Sequence, residues 1–168
     1  FNDISMKKLY TIVFFTMTTL SVTSQVIITE IADPNNDSQA RFIELANIGD
    51  NAFDLTGYQL VRWTNANTAY TTSSAVDLTE FGSLQSKGIL TLANNNKFET
   101  VYGVTPNKVI GSGGPADSNG DDNIAILDPN GSIYDVYGVP GTDGTGKSHE
   151  FEDGRAERKG SATAPSSS

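Results

Sequence analysis

The chain has 168 residues, enough for one domain, with 37% hydrophobic residues, 16 glycines and a formal net charge of -9. It contains no cysteine, which excludes disulfide scaffolds, cysteine zinc ligands and a cysteine nucleophile. Nucleic-acid affinity is built largely from Lys and Arg contacts with phosphates, so this acidic composition argues against autonomous nucleic-acid binding.

Residues 1–25 have the pattern of a secretory signal peptide and the residues preceding it. Met6, Lys7 and Lys8 form a basic start, residues 9–20 are apolar and Thr-rich, and small residues follow at 21–24. The apolar run is shorter than the roughly 20 residues that span a bilayer. The pattern predicts a secreted or cell-surface protein without a transmembrane anchor.

From residue 26 onward, short apolar runs alternate with Gly, Asn, Asp and Pro, which is typical of an all-β sandwich or barrel. Strands are expected at residues 26–32, 41–47, 58–63, 75–78, 89–93, 108–110, 124–127 and 132–137. Residues 128–131, Asp-Pro-Asn-Gly, predict a hairpin turn.

One short helix is expected within residues 94–103, where Asn residues precede Phe98, Val101 and Tyr102 and Gly103 ends the segment. Residues 150–159 give only a weak helical pattern, interrupted by Gly154, and a solvated, salt-bridged surface is preferred for 151–159. Residues 160–168 are rich in Ser, Ala and Pro and are interpreted as a linker or truncated tail.

The run Phe-Ile-Glu-Leu-Ala-Asn at residues 42–47, followed by Asp-Leu-Thr-Gly-Tyr-Gln-Leu at 54–60, resembles the opening of a lamin-tail domain. Residues 121–128 and 131–135 agree with that family, and the resemblance covers residues 26–137. It implies an immunoglobulin-like β-sandwich that binds other molecules without catalysis. The resemblance weakens in the Gly- and charge-rich extension at 138–159, with which the predicted domain (26–159) ends.

Residues 117–123 carry Asp117, Asn119, Asp121 and Asp122, whose oxygens are the ligands that calcium prefers. The loop at 33–37 is similarly rich in Asp and Asn. Asp117, Asn119 and Asp121 have the spacing that opens an EF-hand loop, but Asp122 stands where that motif needs Gly. A calcium site is therefore one hypothesis, and ordinary turns are the preferred alternative.

Residues 141–148 match the phosphate-loop pattern G-x-x-x-x-G-K-[ST], but the acidic, Gly-broken segment that follows does not predict the helix that such a loop requires. His149 is the only histidine, and its neighbours Ser148 and Glu150 lie on the same loop, which does not favour a catalytic triad. Glu30 and Glu44 could face one another across two strands, but a small sandwich offers them no cleft. The sequence predicts no enzyme activity.

An aromatic surface for sugars is a further alternative, with Trp63, Tyr58, Tyr70 and Phe81 as its rings, although core packing is the preferred interpretation. The favoured function is a non-catalytic interaction or adhesion module of a secreted or surface protein, with another protein or a surface polysaccharide as its partner. The alternatives are an accessory domain of an extracellular nuclease or other hydrolase, and a calcium-dependent carbohydrate-binding module.

Overall fold

A computed structural model describes residues 25–168. The β-branched and aromatic runs form strands, as their composition favours. In the described part of the chain the strands are β1 (Val26–Ala32), β2 (Phe42–Asn47), β3 (Phe53–Asp54), β4 (Gln59–Trp63), β5 (Val76–Asp77), β6 (Ser83–Leu84), β7 (Ile89–Ala93), β8 (Lys108–Val109), β9 (Asn123–Leu127), β10 (Ile133–Tyr137) and β11 (Arg155–Glu157).

The larger sheet has the strand order β11-β1-β2-β7-β8. All its pairs are antiparallel except β7 with β8. The pairing of β1 with β2 shifts register between Ile28 and Glu30, which marks a β-bulge. Both outer strands of this sheet are short, with β8 only two residues long.

The smaller sheet has the order β10-β9-β4-β5, and β3 pairs separately with β6. The predicted hairpin joins β9 to β10: the Asp128 carboxylate accepts the N–H groups of Asn130 (2.9 Å) and Ser132 (2.8 Å). Gly131 has φ +81°, a conformation that glycine adopts without steric cost. The hairpin prediction is confirmed.

The main core lies between the facing surfaces of the two large sheets. Its fully buried side chains include Ile43, Leu45, Leu60, Leu92 and Ile126. A second apolar cluster, around Val61 and Trp63, covers the opposite face of the smaller sheet. Two packed sheets of short strands form an all-β, immunoglobulin-like sandwich, so the predicted fold class is confirmed.

The helix α1 (Lys97–Tyr102) is the only α-helix within residues 25–168, and it lies where the sequence predicts one. Gly103 ends it with the left-handed φ of +72° that a C-terminal glycine supplies. Phe98 packs edge-to-face on Phe42, at a ring distance of 5.1 Å, on the larger sheet. No helix among the described residues is long and apolar enough to cross a membrane.

The C-terminal extension is part of the sandwich. Phe151 is 4% exposed and belongs to the main core, with its ring 5.6 Å from that of Tyr137. Residues 155–157, which lie in the segment with a weak helical pattern, instead pair with β1 as strand β11. These residues form a strand and not a helix because the edge of β1 is open for pairing, whereas Gly154 disfavours a helix through this segment.

A buried ion pair joins the two sheets beside the bulge. Asp135 of β10 is fully buried, and its Oδ2 accepts hydrogen bonds from the Ile28 N–H (2.8 Å) and from Arg158 Nη2 (2.7 Å). Arg158 Nε donates to the Ile28 carbonyl at 2.7 Å. At the bulge, the N–H and carbonyl of Ile28 in the larger sheet are therefore bound by the side chains of Asp135, from the smaller sheet, and Arg158, which follows β11.

Candidate functional site

The loop at residues 111–123 is folded around the guanidinium of Arg62, on β4. Arg62 is 8% exposed, and its Nη1 donates to the Asp117 carbonyl and lies 3.2 Å from the Asp122 carboxylate. Its Nη2 donates to the Gly113 carbonyl at 3.2 Å. One buried arginine therefore fixes three points of the loop that the sequence singled out for calcium.

The Asp117 carboxylate is fully engaged within the fold. Its Oδ1 accepts hydrogen bonds from Arg41 Nη1 (3.2 Å) and Asn94 Nδ2 (2.8 Å), and its Oδ2 accepts the Gly113 N–H (2.8 Å). These bonds close the loop on itself and attach it to the larger sheet. A cation at Asp117 would have to compete with the Arg41 guanidinium.

Asp121 and Asp122 both contact Asn65, in the loop that follows β4. Asp122 Oδ1 accepts the Asn65 N–H at 2.9 Å, and Asp121 Oδ2 accepts its side-chain amide at 3.0 Å. Burial raises the pKa of Asp122, although the Asn65 N–H and the Arg62 charge oppose that shift. Asp121 Oδ1 is buried and has no hydrogen-bond partner among the described residues.

Asn119 is exposed and lies in a different environment from the three aspartates. It lines a cleft of about 450 Å³ together with the loop at residues 33–39. We name this opening the acidic cleft; its charged lining residues are Asp33, Asp37, Arg41, Glu152 and Asp153. Arg41 Nε donates to Asp33 at 2.6 Å, so one cation faces four carboxylates.

The fold therefore brings together the two acidic loops that the sequence singled out, but it does not bring the four named residues to one point. Asp117 and Asp122 pair with arginines, Asp121 contacts Asn65, and Asn119 faces the cleft. Within residues 25–168, no three acidic or histidine side chains are placed to hold a metal ion. Calcium binding stays a prediction.

The phosphate-loop pattern at residues 141–148 forms turns and is followed by a further turn and β11. The Gly146 N–H donates to the Glu150 carboxylate at 2.9 Å, so an amide that a phosphate would need is bound to an acid. Gly144 donates to the Asp121 carbonyl at 2.9 Å, and a Cβ at Gly144 would lie 2.8 Å from that oxygen. This glycine serves close packing.

Glu30 and Glu44 are direct cross-strand neighbours, as the sequence suggested. Glu44 accepts a hydrogen bond from the Thr29 hydroxyl at 2.6 Å, and Glu30 pairs with Arg155 at 3.3 Å. Burial raises the pKa of Glu30, and the like charges of Glu157 and Glu44 add to that shift against the opposing charge of Arg155. These contacts explain both carboxylates as parts of a charged sheet surface.

The aromatic residues considered for sugar stacking are used in packing. Trp63 is 6% exposed and meets Tyr70 edge-to-face at 5.4 Å. Tyr58 packs between Phe53 (5.1 Å) and Tyr134 (5.3 Å). Core packing, the preferred interpretation of these rings, agrees with their positions.

Sequence reasoning missed the pair formed by Asp135 and Arg158. The two residues are 23 positions apart, and the family resemblance at residues 131–135 includes Asp135 without indicating a partner for it. The only available signal was an acidic residue, Asp135, inside a run that otherwise reads as a strand. A carboxylate there must either face solvent or find a buried cation.

Two sheets packed face to face, with polar clusters held in the loops between strands, define an immunoglobulin-like β-sandwich domain. The family model described as Lamin Tail Domain matches residues 19–141. The chain belongs to the lamin tail domain family. A search of curated proteins found no match.

Proposed function

We propose that this lamin tail domain is a non-catalytic interaction module of a secreted or cell-surface protein. The observation that carries the proposal is the acidic cleft, whose loops are joined by the Asp33–Arg41 pair and by a hydrogen bond from the Asp33 N–H to the Gly154 carbonyl at 2.8 Å. Immunoglobulin-like sandwiches present their loops in clusters at the ends of the sheets, where variation changes binding without changing the core.

The charge of the cleft indicates the chemistry of its partner. Asp33 pairs with Arg41, whereas Asp37, Glu152 and Asp153 form no ion pair within residues 25–168. A basic segment of another protein is the complement of such a surface, and opposite charge also accelerates encounter. A surface polysaccharide, recognised through the Asp and Asn side chains, is the other partner class.

A lysine-rich decapeptide is a suitable first probe of the cleft, with a glutamate-rich peptide as its counterpart. We expect salt-sensitive binding of the lysine peptide, weakened about tenfold in a Glu152→Gln, Asp153→Asn double variant. The matched control is Asp50→Asn with Glu99→Gln, which removes two exposed charges outside the cleft lining. Equal weakening of peptide binding in both variants would show that binding depends only on net charge, and would contradict a specific cleft.

Export is supported by the signal-peptide pattern at residues 1–25, of which residues 1–24 lie outside the described part of the chain. A fusion of that segment to a reporter enzyme should deliver the reporter to the medium or cell surface. A reporter retained inside the cell would contradict this part of the proposal.

A calcium-dependent carbohydrate-binding module is the second candidate, favoured by the meeting of the two acidic loops at one cleft. Calcium at millimolar concentration should then raise the melting temperature relative to chelator and permit retention on polysaccharide. An accessory role beside a nuclease or other hydrolase is the third candidate. It requires a catalytic domain in the gene beyond Ser168.

A further inference from the structure

A groove of about 290 Å³ runs between the two sheets, beside the Asp135–Arg158 pair. On one side it is lined by β10, the outer strand of the smaller sheet, and on the other by β1 and β11. Its apolar lining residues include Ile28, Ile31, Val136 and Ala156. We name it the strand groove.

The chain's own last residues lie in this groove. The Ser166 N–H donates to Asp135 Oδ1 at 2.8 Å, and the Ser166 carbonyl accepts the Val136 N–H at 2.8 Å. Both bonds use main-chain groups of Ser166, so they do not depend on its side chain. The bond to Val136 joins two main chains, as in the recognition of an added strand at a sheet edge.

The tail is a weak occupant of the groove. Ser167 and Ser168 are exposed, and Ser166 is only partly buried. With only two main-chain hydrogen bonds and little apolar burial, such a segment lies at the low end of local stability. The groove retains its volume beside Ser166 and Ser168, because small side chains do not fill it.

The rim of the groove indicates which segment would bind better. Glu30 and Glu157 both line it, and the single guanidinium of Arg155 pairs with both, at 3.3 Å and 2.9 Å. One negative charge is therefore left uncompensated among these three side chains. An apolar residue would fill the groove, and a basic residue beside it would meet the rim.

We propose that the strand groove binds an extended segment of a partner protein, with an apolar residue followed by Lys or Arg, and that residues 161–168 cover it in cis. The proposal rests on the interaction role proposed above. The strand groove and the acidic cleft share no lining residue, so failure at one leaves the other testable.

The test uses the full chain, a Ser166→Pro variant and a capped octapeptide. The peptide has the sequence of residues 161–168 with Ser166→Val and Ser167→Lys. Proline cannot donate to Asp135, so Ser166→Pro releases the tail, whereas Thr163→Pro is a control in an exposed part of it. Titrations are followed by NMR at the Val136 amide.

Because a covered site lowers apparent affinity by the fraction of time it is open, Ser166→Pro should bind the peptide about tenfold more tightly than the unaltered chain. The Thr163→Pro variant should bind like the unaltered chain, and a peptide carrying Ser166→Pro and Ser167→Lys should not bind. Equal affinities for Ser166→Pro and the unaltered chain, or a Val136 amide that does not move, would overturn the proposal. Loss of lysine-decapeptide binding alone would affect only the acidic cleft.

Discussion

Arg158 Nη2 lies 2.9 Å and 2.7 Å from the two carboxylate oxygens of Asp135, a side chain that is completely shielded from solvent. Asp135 stands on the smaller sheet, and Arg158 follows the outer strand of the larger one. Their pairing therefore connects the two sheets at the point where β1 bulges.

Removing the Asp135 carboxylate should be strongly destabilising, because Arg158 and the Ile28 N–H would be left partly buried without their acceptor. We expect Asp135→Ala to lower the free energy of unfolding by about 3–5 kcal/mol. Urea denaturation measures the loss, and Arg158→Ala with the double variant completes a cycle. A double variant whose loss equals the sum of the single losses would show that the pair is not coupled.

Gly120 is a position where space and backbone conformation both require glycine. It has φ +97°, and a Cβ there would overlap the Cα and N of Glu152. Gly120→Ala should therefore separate the 117–123 loop from the C-terminal extension and cost several times the roughly 1 kcal/mol of a left-handed alanine. Gly146→Ala is the matched control, since Gly146 has φ +69° and open space around its Cβ. Equal melting temperatures for the two variants would refute the close approach.

The C-terminal extension should be required for folding even though the family match ends at residue 141. A chain ending at residue 141 loses Phe151 from the core and β11 from the edge of β1, and burial of a Phe alone is worth about 3–5 kcal/mol. We expect it to be unfolded by circular dichroism and NMR, whereas a chain ending at residue 159 should fold. Cooperative unfolding of the shorter chain would contradict this view.

Glu30→Gln should stabilise the protein at neutral pH and have no effect in acid. A carboxyl whose folded pKa is raised lowers the free energy of unfolding as pH rises from its unfolded value of 4.5 through the folded pKa. Gln removes that loss, which arises mainly from burial of the charged carboxylate, and the gain should stay below about 1 kcal/mol because the site is partly open to solvent. Thermal unfolding between pH 3 and pH 7 measures it.

Asp54→Asn should change stability at neutral pH in the opposite direction to Glu30→Gln. Hydrogen bonds from the Thr56 hydroxyl and N–H lower the pKa of Asp54, so its carboxylate contributes stability that is lost as pH falls. This variant should be destabilised at neutral pH and equal to the unaltered chain in acid.

A gain from Glu30→Gln that did not depend on pH would rule out the electrostatic explanation.

The fold could be predicted where local chemistry determines it. Gly103 ends the helix and Gly131 turns the hairpin because few other residues adopt their φ values at low cost. Strand β11 could not be predicted, because three residues, two of them charged, become a strand only by pairing with β1. Tertiary context overrides propensity in such short elements.

The candidate site was predicted only in part, for a related reason. The sequence places carboxylates and amides close together, but it does not show that Arg62 and Arg41, 55 and 76 positions from Asp117, hold that residue in place. Contacts of such long range depend on the whole topology. Meeting of the two acidic loops at one cleft is likewise a consequence of strand order.

The short outer strands also affect how neighbouring copies of this domain can contact one another. Strands β5 and β8 contain two residues each, and β11 contains three. Such short borders offer little template for main-chain pairing between neighbouring copies. Neighbouring copies of the domain therefore have few main-chain groups through which to pair along β5, β8 or β11.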